Sequence, residues 1–402
     1  MATAPSSGVK LKSTDIPGLS RLAVDAVKGV CNIAEALHLA ITSLSGVTGP
    51  PTGKHTRGIT GLVYRNIRGV TDRVGDSIES LMEKLNLSLA TAETSPGRES
   101  LLAALNGVLG DHLVERENPL AIKMQIRHQG QPWTPDALSD AIRSANGRVV
   151  LLVHGLCMND LQWNRLGHDH GAALAADHGL LPLYLHYNSG RHISENGRDL
   201  AELMETLLDV PELRSISILA HSMGGLVSRS AYHYGKEAGM QWPERLEKIV
   251  FLGTPHHGAP LEKGGNWIDS LLDVSPYSAP FSRLGKIRSS GITDLRYGNL
   301  HDEDWQGRDR FAPSGDQRTP RPLPEGVAVY AVAATTTARP SIHGDQIGDG
   351  LVPLHSALGH DEIGSYNLAI PQTHQRVVRN INHLDLLSDA AVYDAINEWF
   401  SP

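Results

Sequence analysis

Apolar positions change their rhythm along this chain. Before about residue 146 they recur every three or four residues. Leu22, Ala26, Val30, Ile33, Leu37 and Ile41 form one such series and predict a helix over 19–44 with a single apolar stripe. A Gly/Pro/Thr-rich stretch over 45–58 breaks it. Leu62, Ile67, Val70, Val74, Ile78 and Leu81 then form a second stripe. The two stripes are alike: Val27-Lys28-Gly29-Val30 matches Ile67-Arg68-Gly69-Val70, with Leu22 and Leu62 in the same register. This predicts a duplicated helical unit. Glycine inside a helix costs about 1 kcal/mol against alanine, so paired glycines suggest close helix–helix approach. A third helix is predicted over 99–114, a strand and turn over 118–133, and a short helix over 136–144, which places a boundary near 147.

From Arg148 the period shifts. Val149 to Val153 is an unbroken apolar run, the pattern of a strand covered on both faces of a parallel sheet. Strands are predicted over 181–187, 215–221, 248–252 and 327–334, with helices over 171–177, 195–208 and 387–400. Strands alternating with helices, joined by right-handed crossovers, give an open, mostly parallel α/β sheet with helices on both faces. Ligands in such sheets bind beyond the carboxyl ends of the strands. Residues 256–325 lack the rhythm. They hold Trp267, Ile268, Leu271, Leu272, Tyr277, Phe281 and Trp305 in a chain with only four phenylalanines and six tryptophans.

Composition narrows the partners. A chain of 402 residues that is 40% hydrophobic and 20% charged has ample material for a core. A net charge of −8 argues against nucleic acid as a main partner. Residues 1–146 carry 15 Lys and Arg against 14 Asp and Glu, or +1, which leaves −9 for the rest. Lys54, Arg57, Arg65, Arg68 and Arg73 gather around the second helix, and a basic amphipathic helix can rest on an anionic lipid surface. The weak overall charge favours a plain helical hairpin instead. No secretory signal pattern and no run of about 18 apolar residues is present, so the expected location is cytoplasmic, with peripheral contact to a membrane or lipid surface as the variant. Cys31 and Cys157 lie far apart and make no disulfide framework.

The chemistry concentrates at the predicted strand ends. Ser215 to Ala220 is a strand, and Ser222 follows it in Ala220-His221-Ser222-Met223-Gly224-Gly225 before a helix begins. A serine on so tight a turn needs tiny neighbours, which Gly224 and Gly225 supply. Val153-His154-Gly155-Leu156 follows the first strand. Leu252-Gly253-Thr254-Pro255-His256-His257-Gly258, Gly348-Asp349-Gly350-Leu351-Val352-Pro353 and Asn382-His383-Leu384 complete the set, and the order is Ser, Asp, His.

With these five motifs in this order, residues 147–402 resemble the α/β-hydrolase superfamily, in its lipase/esterase-like branch. One departure is Ala220, where the usual pattern has glycine. The resemblance implies Ser222 as nucleophile, His383 as base, Asp349 as its orienting acid, and an oxyanion hole from the backbone N–H groups of Leu156 and Met223. It implies a cap over 256–325 that shapes an acyl pocket, an ester or lipid as the small-molecule substrate, and no cofactor. His360 and His374 are rival bases and Asp345 a rival acid. His383 is preferred because it lies on the loop before the last helix. Asp385 is too close in sequence to face the His383 ring. His168-Asp169-His170 and His301-Asp302-Glu303-Asp304 lack firm metal-ligand spacing, so no metal is expected. Deacylation of a complex lipid, acyl transfer by the same triad, and a silent lipid-docking scaffold are the alternatives.

Overall fold

The computed structural model describes residues 96–259, 289–309, 315–340 and 347–401. The two expected stripes over 19–81 lie outside the described residues, as do Asp345 and the aromatic residues 267–281.

Eight strands form one sheet in the order β2-β1-β4-β3-β5-β6-β7-β8. They are β1 (Gln125–His128), β2 (Gln131–Pro132), β3 (Arg148–Val153), β4 (Leu181–His186), β5 (Ser215–His221), β6 (Leu246–Leu252), β7 (Ala328–Thr335) and β8 (Gln375–Arg379). Strands β4 to β8 run parallel with β3, and β1 pairs antiparallel with both β4 and β2. The helices are α1 (Pro96–Glu115), α2 (Pro135–Ser144), α3 (His170–His178), α4 (Ile193–Thr206), α5 (Met223–Glu237), α6 (Ser290–Asp294), α7 (Leu354–Ala357) and α8 (Ala390–Phe400).

Side-chain alternation divides the core into two layers. Val149, Leu151 and Val153 of β3 point into one with Ile218, Leu226 and Val227, and α1, α4 and α5 cover it. Val150 and Leu152 point into the other with Leu174 of α3 and Val392, Ile396 and Trp399 of α8. The chain leaves β3 toward β4 on one side and then returns to β5 on the other side of β3. The loops after β3 and β5 therefore part in opposite directions and open a crevice at their carboxyl ends.

The sheet begins earlier than the sequence boundary near 147 implied. Arg127 pairs with Tyr184 and Ile126 with Leu185, so β1 belongs to the same sheet as the elbow strand. Ala104, Leu105, Val108 and Leu113 of α1 are buried in the same core layer as β3 and β5. The strand and turn expected over 118–133 is this hairpin, and it joins the sheet because the outer side of β4 needs a hydrogen-bonding partner.

Candidate active site

Ser222 stands between β5 and α5 with φ 54 and ψ −126, a region that L residues rarely occupy. The turn is locked from several sides. Its N–H donates to the Leu252 carbonyl at 2.9 Å. A methyl added at Gly224 would sit 2.2 Å from the Val153 carbonyl oxygen, so α5 starts against the end of β3 backbone to backbone. One added at Gly225 would sit 2.1 Å from the Thr254 hydroxyl. Ala220, where the usual pattern has glycine, is a fully buried β5 residue paired with Val153 and Phe251.

Asp349 and His383 meet directly. The Asp349 Oδ2 lies 2.6 Å from His383 Nδ1, and the pair is buried, at 2% and 3% exposure. A carboxylate can only accept, so Nδ1 is the donor to Asp349 and Nε2 is the ring nitrogen left for a second partner. Asp349 is itself oriented: Oδ1 accepts the N–H groups of Leu351 and Val352, at 2.9 and 2.8 Å. The His383 N–H donates to the Asp349 carbonyl at 3.1 Å. Among the described residues the buried Nε2 of His383 has no hydrogen-bond partner.

His221 joins this pair to the serine turn. Its ring centre lies 4.6 Å from that of His383. Burial, with the neighbouring imidazoles, pushes His221 well below the ordinary histidine range, so it is neutral. On the opposite flank, a methyl at Gly155 would lie 3.0 Å from the Ser222 Cβ, which brings the His154-Gly155-Leu156 loop against the serine. Met223 is the first residue of α5, where no intrahelical acceptor exists. Among the described residues neither the Met223 nor the Leu156 N–H has an acceptor.

The rival residues are engaged elsewhere. Asp385 faces Arg165 at 3.3 Å. The His374 Nδ1 donates to the Val329 carbonyl at 3.0 Å, and His360 faces Gln375. His168 bonds His170 at 2.8 Å, while Asp169 caps α3 and accepts the Tyr184 hydroxyl. Asp304 accepts the N–H groups of Leu300, His301 and Thr319. Of the expected cap, Trp305 stacks on His192 at 3.6 Å and donates to Ser194, which seats that part of the segment on α4.

Sequence reasoning missed His154 as a structural donor. Its Nδ1 lies 2.9 Å from the Gly155 carbonyl, its ring stacks on Tyr187 at 4.3 Å, and burial pushes it down to about 3.

One antiparallel strand at the side of an otherwise parallel sheet, a serine on a strained strand-to-helix turn, and Ser, Asp and His in that chain order define an α/β-hydrolase fold. A family model described as a domain of unknown function (DUF7379) matches residues 121–283, and that match also begins upstream of 147. No curated protein matches the chain. It is similar to the Bacillus licheniformis lipase BlEst2 in mature form, with 14% identity over 70% of this chain and 98% of that chain and a TM-score of 0.42. It is similar to Aspergillus fumigatus lipase B, with 13% identity over 94% of this chain and 83% of that one and a TM-score of 0.40. A lipase-esterase related protein from Clostridium acetobutylicum is 12% identical over 63% of this chain and 94% of that one, with a TM-score of 0.37. The sheet order and the strained turn at Ser222 define the fold.

Proposed function

We propose that the chain hydrolyses carboxylic esters through an acyl-enzyme formed on Ser222. A serine hydroxyl is a poor nucleophile at neutral pH and needs a base. His383 Nε2 takes the Ser222 proton as the oxygen attacks the ester carbonyl. Asp349 holds the imidazole in the tautomer that leaves Nε2 open and stabilises the imidazolium. The N–H groups of Leu156 and Met223 receive the oxyanion. The imidazolium then protonates the leaving alcohol, and water repeats the sequence to release the acid. The observation that carries this reading is the buried Asp349–His383 pair, tied through His221 to the strained Ser222 turn.

Ser222→Ala tests it. Hydrolysis of p-nitrophenyl esters should fall by roughly a million-fold, the scale set by removing such a nucleophile. Labelling by a fluorophosphonate probe should vanish and the circular dichroism spectrum should stay. An unchanged rate, or a wild-type protein that neither labels nor turns over, removes the proposal.

A further inference from the structure

We propose that helix α1, which precedes the whole sheet, positions the oxyanion donor at Leu156, with Gly107 as its point of contact. The inference rests on the hydrolase reading above.

The Leu156 N–H shares a planar peptide unit with the Gly155 carbonyl, so fixing one fixes the other. On the near side, His154 Nδ1 donates to the Gly155 oxygen at 2.9 Å. On the far side stands Cys157, a non-glycine residue held in the left-handed region at φ 59. Such a conformation persists only where the surroundings over-determine it. The Cys157 N–H donates to Ser189 Oγ at 3.0 Å. The remaining restraint is α1. A methyl added at Gly107 would lie 2.3 Å from the Cys157 Sγ and 2.9 Å from its Cα and N. The helix therefore bears on the Cys157 backbone with no side chain between them.

Helix α1 is anchored so that it can press there. Asn106 donates to the Leu120 carbonyl and accepts from the Ile122 N–H, both at 2.9 Å. Asn188 donates to the Gly110 carbonyl at 3.0 Å, and Ser289 to that of Gly107 at 2.6 Å. Glu99 of α1 meets Arg127 of β1 at 2.8 Å, and Arg127 meets Asp160, just beyond the loop, at 3.4 Å. The stretch from Gly155 to Asp160 is thus held by His154, Ser189, Gly107 and Arg127, and the last two of these four precede residue 147.

The test uses the full chain with Gly107→Ala. A trifluoromethyl ketone adds the Ser222 oxygen to its carbonyl carbon, passes the serine proton to His383, and leaves an alkoxide in the oxyanion hole. Its Ki depends on donor geometry and is independent of the fraction of active enzyme. The expected result is a kcat lower by roughly 10- to 100-fold, with the ester KM little changed and the ketone Ki raised by a similar factor. Unchanged kcat and Ki overturn the proposal. So does a fall in kcat matched by a smaller fluorophosphonate-labelled fraction at unchanged Ki, which marks loss of fold alone. If Gly107→Ala does not fold, Ser289→Ala carries the same readout, because it removes the hydrogen bond that holds the Gly107 carbonyl and adds no bulk. A wild-type protein that neither turns over nor binds the ketone overturns the hydrolase reading itself, which is a distinct result.

Discussion

His221 Nε2 donates to the main-chain carbonyl of His383 at 3.1 Å. The residue beside the candidate nucleophile thereby braces the backbone of the candidate base. A carbonyl can only accept, so His221 holds its proton on Nε2. His221→Phe should leave that carbonyl unpaired and let the His383 loop shift. Misplacement of about 1 Å can cost on the order of 100-fold in rate, so kcat should fall by roughly that much with KM little changed. His221→Gln keeps a donor of similar reach and should recover much of the loss. Steady-state kinetics on both variants decide it, and equal rates for the two would show that the bond does not matter.

Asp349→Asn should keep the fold and lose the rate. The amide oxygen can go on accepting the N–H groups of Leu351 and Val352, which turns the NH2 toward His383 Nδ1. The imidazole must then accept at Nδ1 and carry its proton on Nε2, where it cannot take one from serine. The expected fall in kcat is about 10,000-fold, with the melting temperature close to wild type.

Gly224→Ala should damage folding before it damages chemistry. Its methyl would meet the Val153 and His154 carbonyl oxygens at 2.2 and 2.7 Å. Both are backbone atoms and cannot rotate away. Overpacking of this kind costs about 1–3 kcal/mol or more, and thermal denaturation should report it. A variant that melts with the wild type would mean that α5 can slide off the end of β3.

Stability should fall in mild acid. Burial pushes His154 down to about 3 and His170 down to about 4. An unfolded histidine titrates near 6.5. Above that pH both states are neutral and proton uptake on unfolding is nil. Below it the unfolded chain binds protons that the folded one refuses. Each of these two groups then removes up to about 1.4 kcal/mol of stability per pH unit. Buried His257 and His301, also lowered, act in the same direction. Urea midpoints should drop between pH 7 and pH 5, and equal midpoints would refute the linkage.

The legible parts of this fold are the strands buried on both faces. β3 announces itself as an unbroken apolar run, and β5 and β6 by the Ile, Leu, Val and Phe that crowd their carboxyl halves, because both faces of these strands are buried. β8 was missed, since Gln375-Arg376-Val377-Val378-Arg379 lies at the sheet's rim and reads as loop. β1 was taken for part of a separate region because its partner β4 lies far along the chain and no local signal declares the pairing. At the site, the resemblance and the place of His383 on the loop before the last helix put Asp349 and His383 together, and the structure brings them within hydrogen-bond distance. The carbonyl-directed roles of His154 and His221 had no counterpart in the sequence, since a histidine code does not say which carbonyl it will meet.

The pairing of β1 with β4 also bears on how the protein can be cut. A polypeptide started at residue 147 would strip β4 of its outer neighbour and leave a row of bare amide and carbonyl groups. It would also bare the greasy underside that α1 shields. Such a fragment is primed to add strands from its own copies and precipitate, so loss of activity on truncation would speak of clumping before it spoke of catalysis.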